Sequence, residues 1–167
     1  FNFVKGLGPS AVSIALWEDQ KPIFGVIYNI VDQKLIWGGA GIGAYCDDQP
    51  ISVSKVSIKN QASICTGFPV RLDLENETVV QSFWRMVRLF AKVRMFGSAA
   101  VSLVYVARGV SDVYFEENIM LWDVAAGLAI VEGAGGTYTL KKTSVDWSYK
   151  VCASNEHLSS GLVDLFS

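Results

Sequence analysis

The run Leu121-Trp122-Asp123-Val124-Ala125-Ala126-Gly127-Leu128-Ala129-Ile130-Val131-Glu132-Gly133-Ala134-Gly135-Gly136 constrains the fold of this chain more than any other. An acid and an aromatic residue open an apolar helix that closes on paired glycines. Asp123 falls in the first turn, where the positive end of the helix dipole favours a carboxylate. Gly135 and Gly136 supply the left-handed backbone that ends a helix. On these grounds alone Asp123 reads as a partner of the helix dipole.

Upstream, residues 10–53 read as antiparallel β. Segments 11–17 and 23–30 are strand-like and flank a polar turn, Glu18-Asp19-Gln20-Lys21-Pro22. A turn at Asp32-Gln33 leads to a third strand over 34–38. After a Gly-rich stretch come Ala44-Tyr45-Cys46, a turn at Asp47-Asp48-Gln49-Pro50, and Ile51-Ser52-Val53. Composition changes over 54–62. The expected division is therefore 1–55, the antiparallel β part, and 56–167, an α/β domain. In the second part the pattern predicts strands over 63–67, 92–96, 111–116, 136–140 and 150–153. It predicts helices over 76–91 (capped by Asp73 or Asn76), 98–107, 122–133 and 158–166. Strands alternating with helices argue an α+β or layered α/β fold.

Apolar residues make up 51% of the 167 and charged residues 18%, which is the composition of a folded core. Net charge is −2 with no Lys/Arg cluster, so neither a nucleic-acid polymer nor an anionic membrane is expected as a partner. Mean hydropathy is high, at +0.33, yet no apolar run approaches the roughly 18 residues that span a bilayer. Cys46, Cys65 and Cys152 are odd in number and lack a Cys-x-x-Cys spacing, as expected of free thiols in a reducing cytoplasm.

Other polar residues have both structural and chemical readings. Ser98 follows Gly97 and opens a helix with Ala99; such a start presents free N–H groups to anions or hydroxyls, and Ser is also an ordinary N-cap. Glu116 ends a predicted strand seven residues before Asp123, with Glu117 beside it and Asp112 at the strand's beginning. His157 is the single histidine and supports no Ser/His/Asp triad. Trp122 is expected to anchor a core.

The Leu121 to Gly136 run resembles the second signature of the inositol monophosphatase family, Trp-Asp-x-Ala-Ala/Gly-Gly/Ala-x-x-Ile-Val-x-x-Ala-Gly-Gly. Gly43-Ala44-Tyr45-Cys46-Asp47-Asp48-Gln49-Pro50-Ile51-Ser52-Val53-Ser54 looks like the family's Gly-Ala-Phe-x-Asn-Gly-x-x-Leu-x-Val-Ser hairpin, and Gly97-Ser98-Ala99-Ala100 like its Gly-Ser/Thr-Ala-Ala helix opening. Phe1-Asn2-Phe3-Val4 looks like the residues that follow its first signature, Asp-Pro-x-Asp-Gly-Ser/Thr. The resemblance runs in order from Phe1 to about Glu156.

That resemblance implies the αβαβα sandwich of sugar phosphatases. It implies a Mg²⁺-dependent phosphomonoesterase acting on a small phosphorylated polyol, with inositol monophosphate first and fructose 1,6-bisphosphate or 3′-phosphoadenosine 5′-phosphate as alternatives. It also implies a homodimer. Asp123 is then a ligand of catalytic Mg²⁺, Glu116 accepts from a substrate hydroxyl, and Gly97, Ser98 and Ala99 face the substrate. The family reaction is direct attack of an activated water on phosphorus. Because the first signature is absent, the chain is expected to be the C-terminal part of a phosphatase. The competing expectation is a catalytically incomplete fragment or non-enzymatic member that acts through dimerisation or binding. Met120 and Gly133 depart from residues common in relatives, a polar side chain and a Glu.

Overall fold

The alternating pattern of residues 10–53 becomes a five-stranded antiparallel meander in the computed structural model, which describes residues 1–68, 77–160 and 162. Its strands are β1 (Ala11–Glu18), β2 (Lys21–Asn29), β3 (Lys34–Gly39), β4 (Gly43–Cys46) and β5 (Gln49–Pro50), hydrogen-bonded in that order. The connections are tighter than the composition suggests. Asp19 and Gln20 alone turn β1 into β2, and Asp47 and Asp48 alone turn β4 into β5, each pair with positive φ. Two-residue turns of this hand match the twist of the flanking strands. Gln49 and Pro50 therefore belong to a strand rather than a turn, and Ile51-Ser52-Val53 lies beyond the sheet, with Val53 N donating to Ala134 O at 3.1 Å.

A second sheet is mixed. Strands β6 (Ser63–Thr66), β7 (Lys92–Arg94), β8 (Val113–Met120), β9 (Gly136–Lys142) and β10 (Ser148–Asn155) lie in the order β7-β6-β8-β10-β9. β6 is parallel to β7 and β8, and the remaining pairs are antiparallel. Among the described residues, four α-helices accompany the sheets: α1 (Glu77–Leu89), α2 (Ala99–Ala107), α3 (Leu121–Gly133) and the short α4 (Glu156–Ser159). The proposed caps Asp73 and Asn76, and the end of the expected terminal helix, fall outside the described residues.

Helices α2 and α3 form a layer between the two sheets, and each is buried on nearly every side, as helices without a polar face must be. One core joins Ile27 and Ile36 of the first sheet, Leu103, Leu128 and Ile130 of the helices, and Tyr114 and Val151 of the second sheet. On the far face of the second sheet, Met86 and Phe90 on and just after α1 pack on Ile64, Val113, Phe115 and Cys152. The result is a layered αβ sandwich. The outer face of the first sheet stays open: Val12, Ile14 and Leu16 alternate along β1 and are each more than half exposed.

Close approach between layers depends on missing side chains. A Cβ on Gly25 of β2 would run into the backbone of Ala126, and one on Gly133 would run into Gly43 O and Gly39 N. Gly133 therefore seats the end of α3 against the β3–β4 corner. Of the paired glycines that follow, Gly135 takes the left-handed conformation (φ 84), while Gly136 opens β9.

Candidate active site

Strand β8 places its residues alternately on its two faces. Val113 and Phe115 face α1, whereas Tyr114 and Glu116 face the α2/α3 layer. Glu116 is not at the strand's end, as the sequence suggested. Pairing with β10 carries the strand on to Met120 across a register shift between Tyr149 and Val151, and Asn118 adopts a left-handed φ of 56 there. This is the local behaviour of a bulge. The chain then enters α3 with no intervening loop; Met120 is an N-cap without a side-chain hydrogen bond, and Leu121 N donates to Trp147 O at 2.9 Å. Asp123 consequently lies in the first turn of α3, close to the strand that bears Glu116.

The third contributor is the start of α2. Gly97 has φ 67, and Ser98 is the N-cap, its Oγ accepting from Val101 N at 3.4 Å. Ser102 Oγ donates back to Ser98 O at 2.8 Å. The first amides of an α-helix have no carbonyl partner within it, so this turn offers donors to a ligand. Asn2 holds the turn in place: its Nδ2 donates to Phe96 O at 2.9 Å and to Pro9 O at 2.8 Å.

All five residues predicted for the site, Gly97, Ser98, Ala99, Glu116 and Asp123, line one cleft of about 490 Å³. Sequence reasoning missed Ser13, Thr66, Gly67 and Tyr114. Ser13 projects from β1 into the same cleft, where its Oγ is buried without a hydrogen-bond partner among the described residues. Thr66 and Gly67 line the same cleft, with Gly67 directly beside the Glu116 carboxylate. Tyr114 is fully buried behind Glu116 and donates to its Oε2 at 2.9 Å. The two-residue spacing of Tyr114 and Glu116 on a strand was the available signal for that pair.

The electrostatics are those of a shielded acidic site. Burial pushes the Glu116 carboxyl up to about 7, the Tyr114 hydrogen bond opposes that rise, and the charge of Asp123 adds to it. Asp123 is half-buried, and desolvation raises its carboxyl as well. Both residues gain from an added positive charge, because an ionised carboxylate in a poorly solvated place is costly until it is paired.

The other candidates go elsewhere. Glu117 pairs with Lys150 at 2.5 Å and lines a separate small cavity toward α1. Asp112 is buried and structural, accepting from Ser54 Oγ, Ser63 N and Ser63 Oγ. His157 is exposed on α4. Trp122 is not a core anchor. It is 60% exposed beside Trp17 and Trp147, because α3 turns Leu121 and Val124 to the core and leaves residue 122 at the edge of the sheet next to β1.

Mg²⁺ takes oxygen ligands, commonly one or two carboxylates completed by phosphate oxygens and water. Asp123 fits as one such carboxylate. Among the described residues no group of three His, Cys, Asp or Glu side chains is gathered for a metal, so a complete two-metal centre would need further donors.

The profile of the inositol monophosphatase family matches residues 1–166. The chain belongs to that family. It is 35% identical over 139 residues to the fructose-1,6-bisphosphatase/inositol-1-monophosphatase of Aquifex aeolicus, covering 83% of this chain and 53% of that protein. It is 36% identical over 135 residues to the inositol-1-monophosphatase of Synechocystis, covering 81% of this chain and 47% of that one. The chain thus spans about half the length of these curated relatives. Among solved structures, the suhB protein of Bartonella henselae superposes with a TM-score of 0.87 at 34% identity, over 99% of this chain and 64% of that one. The inositol monophosphatase of Anabaena gives a TM-score of 0.87 at 33% identity, over 99% and 66%. These family members share the layered αβ fold described above.

Proposed function

We propose that these residues belong to a Mg²⁺-dependent phosphomonoesterase whose substrate is a small phosphorylated polyol, inositol monophosphate first, and which works as a cytoplasmic homodimer. The observation that supports this reading is the single cleft that unites Asp123, Glu116 and the start of α2. The three come from a helix start, a strand and a second helix start, and a phosphate ester needs a cation, an acceptor and donors at such converging positions.

Each residue then has a role fixed by its chemistry. Asp123 would hold one Mg²⁺ through a carboxylate oxygen, together with further donors, since no group of three metal-binding side chains is gathered among the described residues. The ion would neutralise negative charge on the phosphate ester. Glu116 accepts a hydrogen bond from a polyol hydroxyl. The amides at the start of α2 donate to polyol or phosphate oxygens. The three cysteines are free and buried, which suits a reducing compartment.

Phosphate release by the full-length protein tests the reading, with inositol monophosphate, fructose 1,6-bisphosphate and 3′-phosphoadenosine 5′-phosphate compared in Mg²⁺ and in EDTA. The expected result is release that needs Mg²⁺ and is fastest from inositol monophosphate. Release from none of the three would favour the non-enzymatic, binding role, and release that survives EDTA would overturn the metal assignment.

A further inference from the structure

We propose that the Tyr114 hydroxyl and the Gly67 backbone form a two-sided clamp that fixes the Glu116 carboxylate for recognition of a substrate hydroxyl, which makes Tyr114 a positioning residue for specificity. The inference rests on the reading of Glu116 given above and goes beyond it. On one side, Tyr114 is fully buried and its hydroxyl donates to Glu116 Oε2 at 2.9 Å. On the other, Gly67 lies so close that a Cβ there would sit 2.8 Å from Oε2 and 2.9 Å from Oε1. A carboxylate on two side-chain torsions ordinarily samples several rotamers. Here Tyr114 ties Oε2 and the Gly67 backbone lies beside both oxygens, which restricts the carboxylate at the wall of the cleft.

The strand pairings make the clamp rigid. Tyr114 lies between Cys65 of β6 and Ala153 of β10, and Glu116 lies opposite Val151. All of these neighbours are buried. Gly67 directly follows β6, whose register with β8 is Thr66 against Phe115, so the glycine arrives beside Glu116 as a consequence of that pairing. A hydroxyl on the substrate then meets an acceptor already in place, and a substrate without one leaves a buried carboxylate unmatched, the arrangement that discriminates most strongly.

The test compares inositol monophosphate with p-nitrophenyl phosphate, which has no hydroxyl on its leaving group, using the full-length protein with Mg²⁺. The readout is the ratio of their kcat/KM values, which a general structural defect does not move because it lowers both. Tyr114→Phe removes only the donor, and Gly67→Ala sets a Cβ against the Glu116 carboxylate, whose atoms are the three nearest to it, and so displaces it. Each is expected to lower the ratio about tenfold, the size of one hydrogen bond to a charged group. In a Glu116→Gln background neither is expected to lower it further. If Glu116→Gln lowers the ratio but Tyr114→Phe and Gly67→Ala do not, the clamp is overturned while the phosphatase reading stands. If Glu116→Gln leaves the ratio unchanged, the hydroxyl-binding role of Glu116 falls, and the clamp with it. Should Tyr114→Phe fail to fold by circular dichroism, Gly67→Ala carries the same comparison.

Discussion

Asp112 accepts from Ser54 Oγ at 2.6 Å across 58 residues of sequence, and so ties the crossover between the sheets to the start of β8. The same carboxylate accepts from Ser63 N at 2.6 Å and Ser63 Oγ at 3.0 Å, which fixes β6 beside β8. Asn155 completes the joint, donating to Ser54 Oγ at 3.0 Å and Val56 O at 2.9 Å.

Because Asp112 is buried, its removal strands several donors. Asp112→Ala is expected to lower unfolding free energy by about 3 kcal/mol, and Ser54→Ala by about 1 kcal/mol. Urea denaturation followed by circular dichroism measures both. Equal, small effects would mean that the joint is wetter than the geometry indicates.

Glu116 gives a pH dependence with a definite sign. Its carboxyl titrates near 7 in the fold against an ordinary 4.5. Between those values the folded protein holds a proton that the unfolded chain releases. The stabilisation is therefore complete below the ordinary value and is lost as pH rises through 7. The whole span is worth about 3 kcal/mol. In EDTA, wild-type stability is expected to fall from pH 5 toward pH 8, and Glu116→Gln to flatten that fall. Parallel profiles for the two proteins would contradict the buried, proton-holding environment.

Gly25 sits where β2 touches the backbone of α3. Gly25→Ala would meet the rigid backbone of Ala126 in α3 and is expected to cost about 3 kcal/mol, read as a lowered melting temperature. Gly135 offers a contrast: a Cβ there meets nothing within 4 Å, but its φ of 84 suits glycine. Gly135→Ala is therefore expected to cost about 1 kcal/mol from backbone strain alone.

The sequence was legible where pattern and chemistry agreed. Asp123 at the start of an apolar run, and Ser98 before another, marked two helix starts that the structure brings to one cleft. The meander over 10–53 was visible in its alternation. What escaped was set by tertiary pairing. Glu116 appeared to end a strand because Asn118 breaks the pattern, yet β10 holds the strand together to Met120. Gly67 and Tyr114 carry no motif; their place beside Glu116 follows from the parallel register of β6 and β8. Trp122 looked like a core residue by type, but an open sheet edge leaves it exposed. Gly133 stood out only as a departure from a Glu common in relatives, and the approach of the β3–β4 corner shows its use.

The most direct test of the account is Mg²⁺-dependent phosphate release from inositol monophosphate by three proteins: the full-length protein, its Asp123→Asn variant, and the 167-residue chain. Asn keeps the shape of Asp and removes the charge. Partners one shell removed from a metal typically cost ten- to a hundredfold when changed, so loss of a ligand is expected to lower kcat/KM by at least about a hundredfold. The 167-residue chain, whose described residues gather no three metal-binding side chains, is expected to release phosphate poorly or not at all. An Asp123→Asn protein as active as the wild type, or robust turnover by the 167-residue chain alone, would contradict the assignment of Asp123 and of the site built around it.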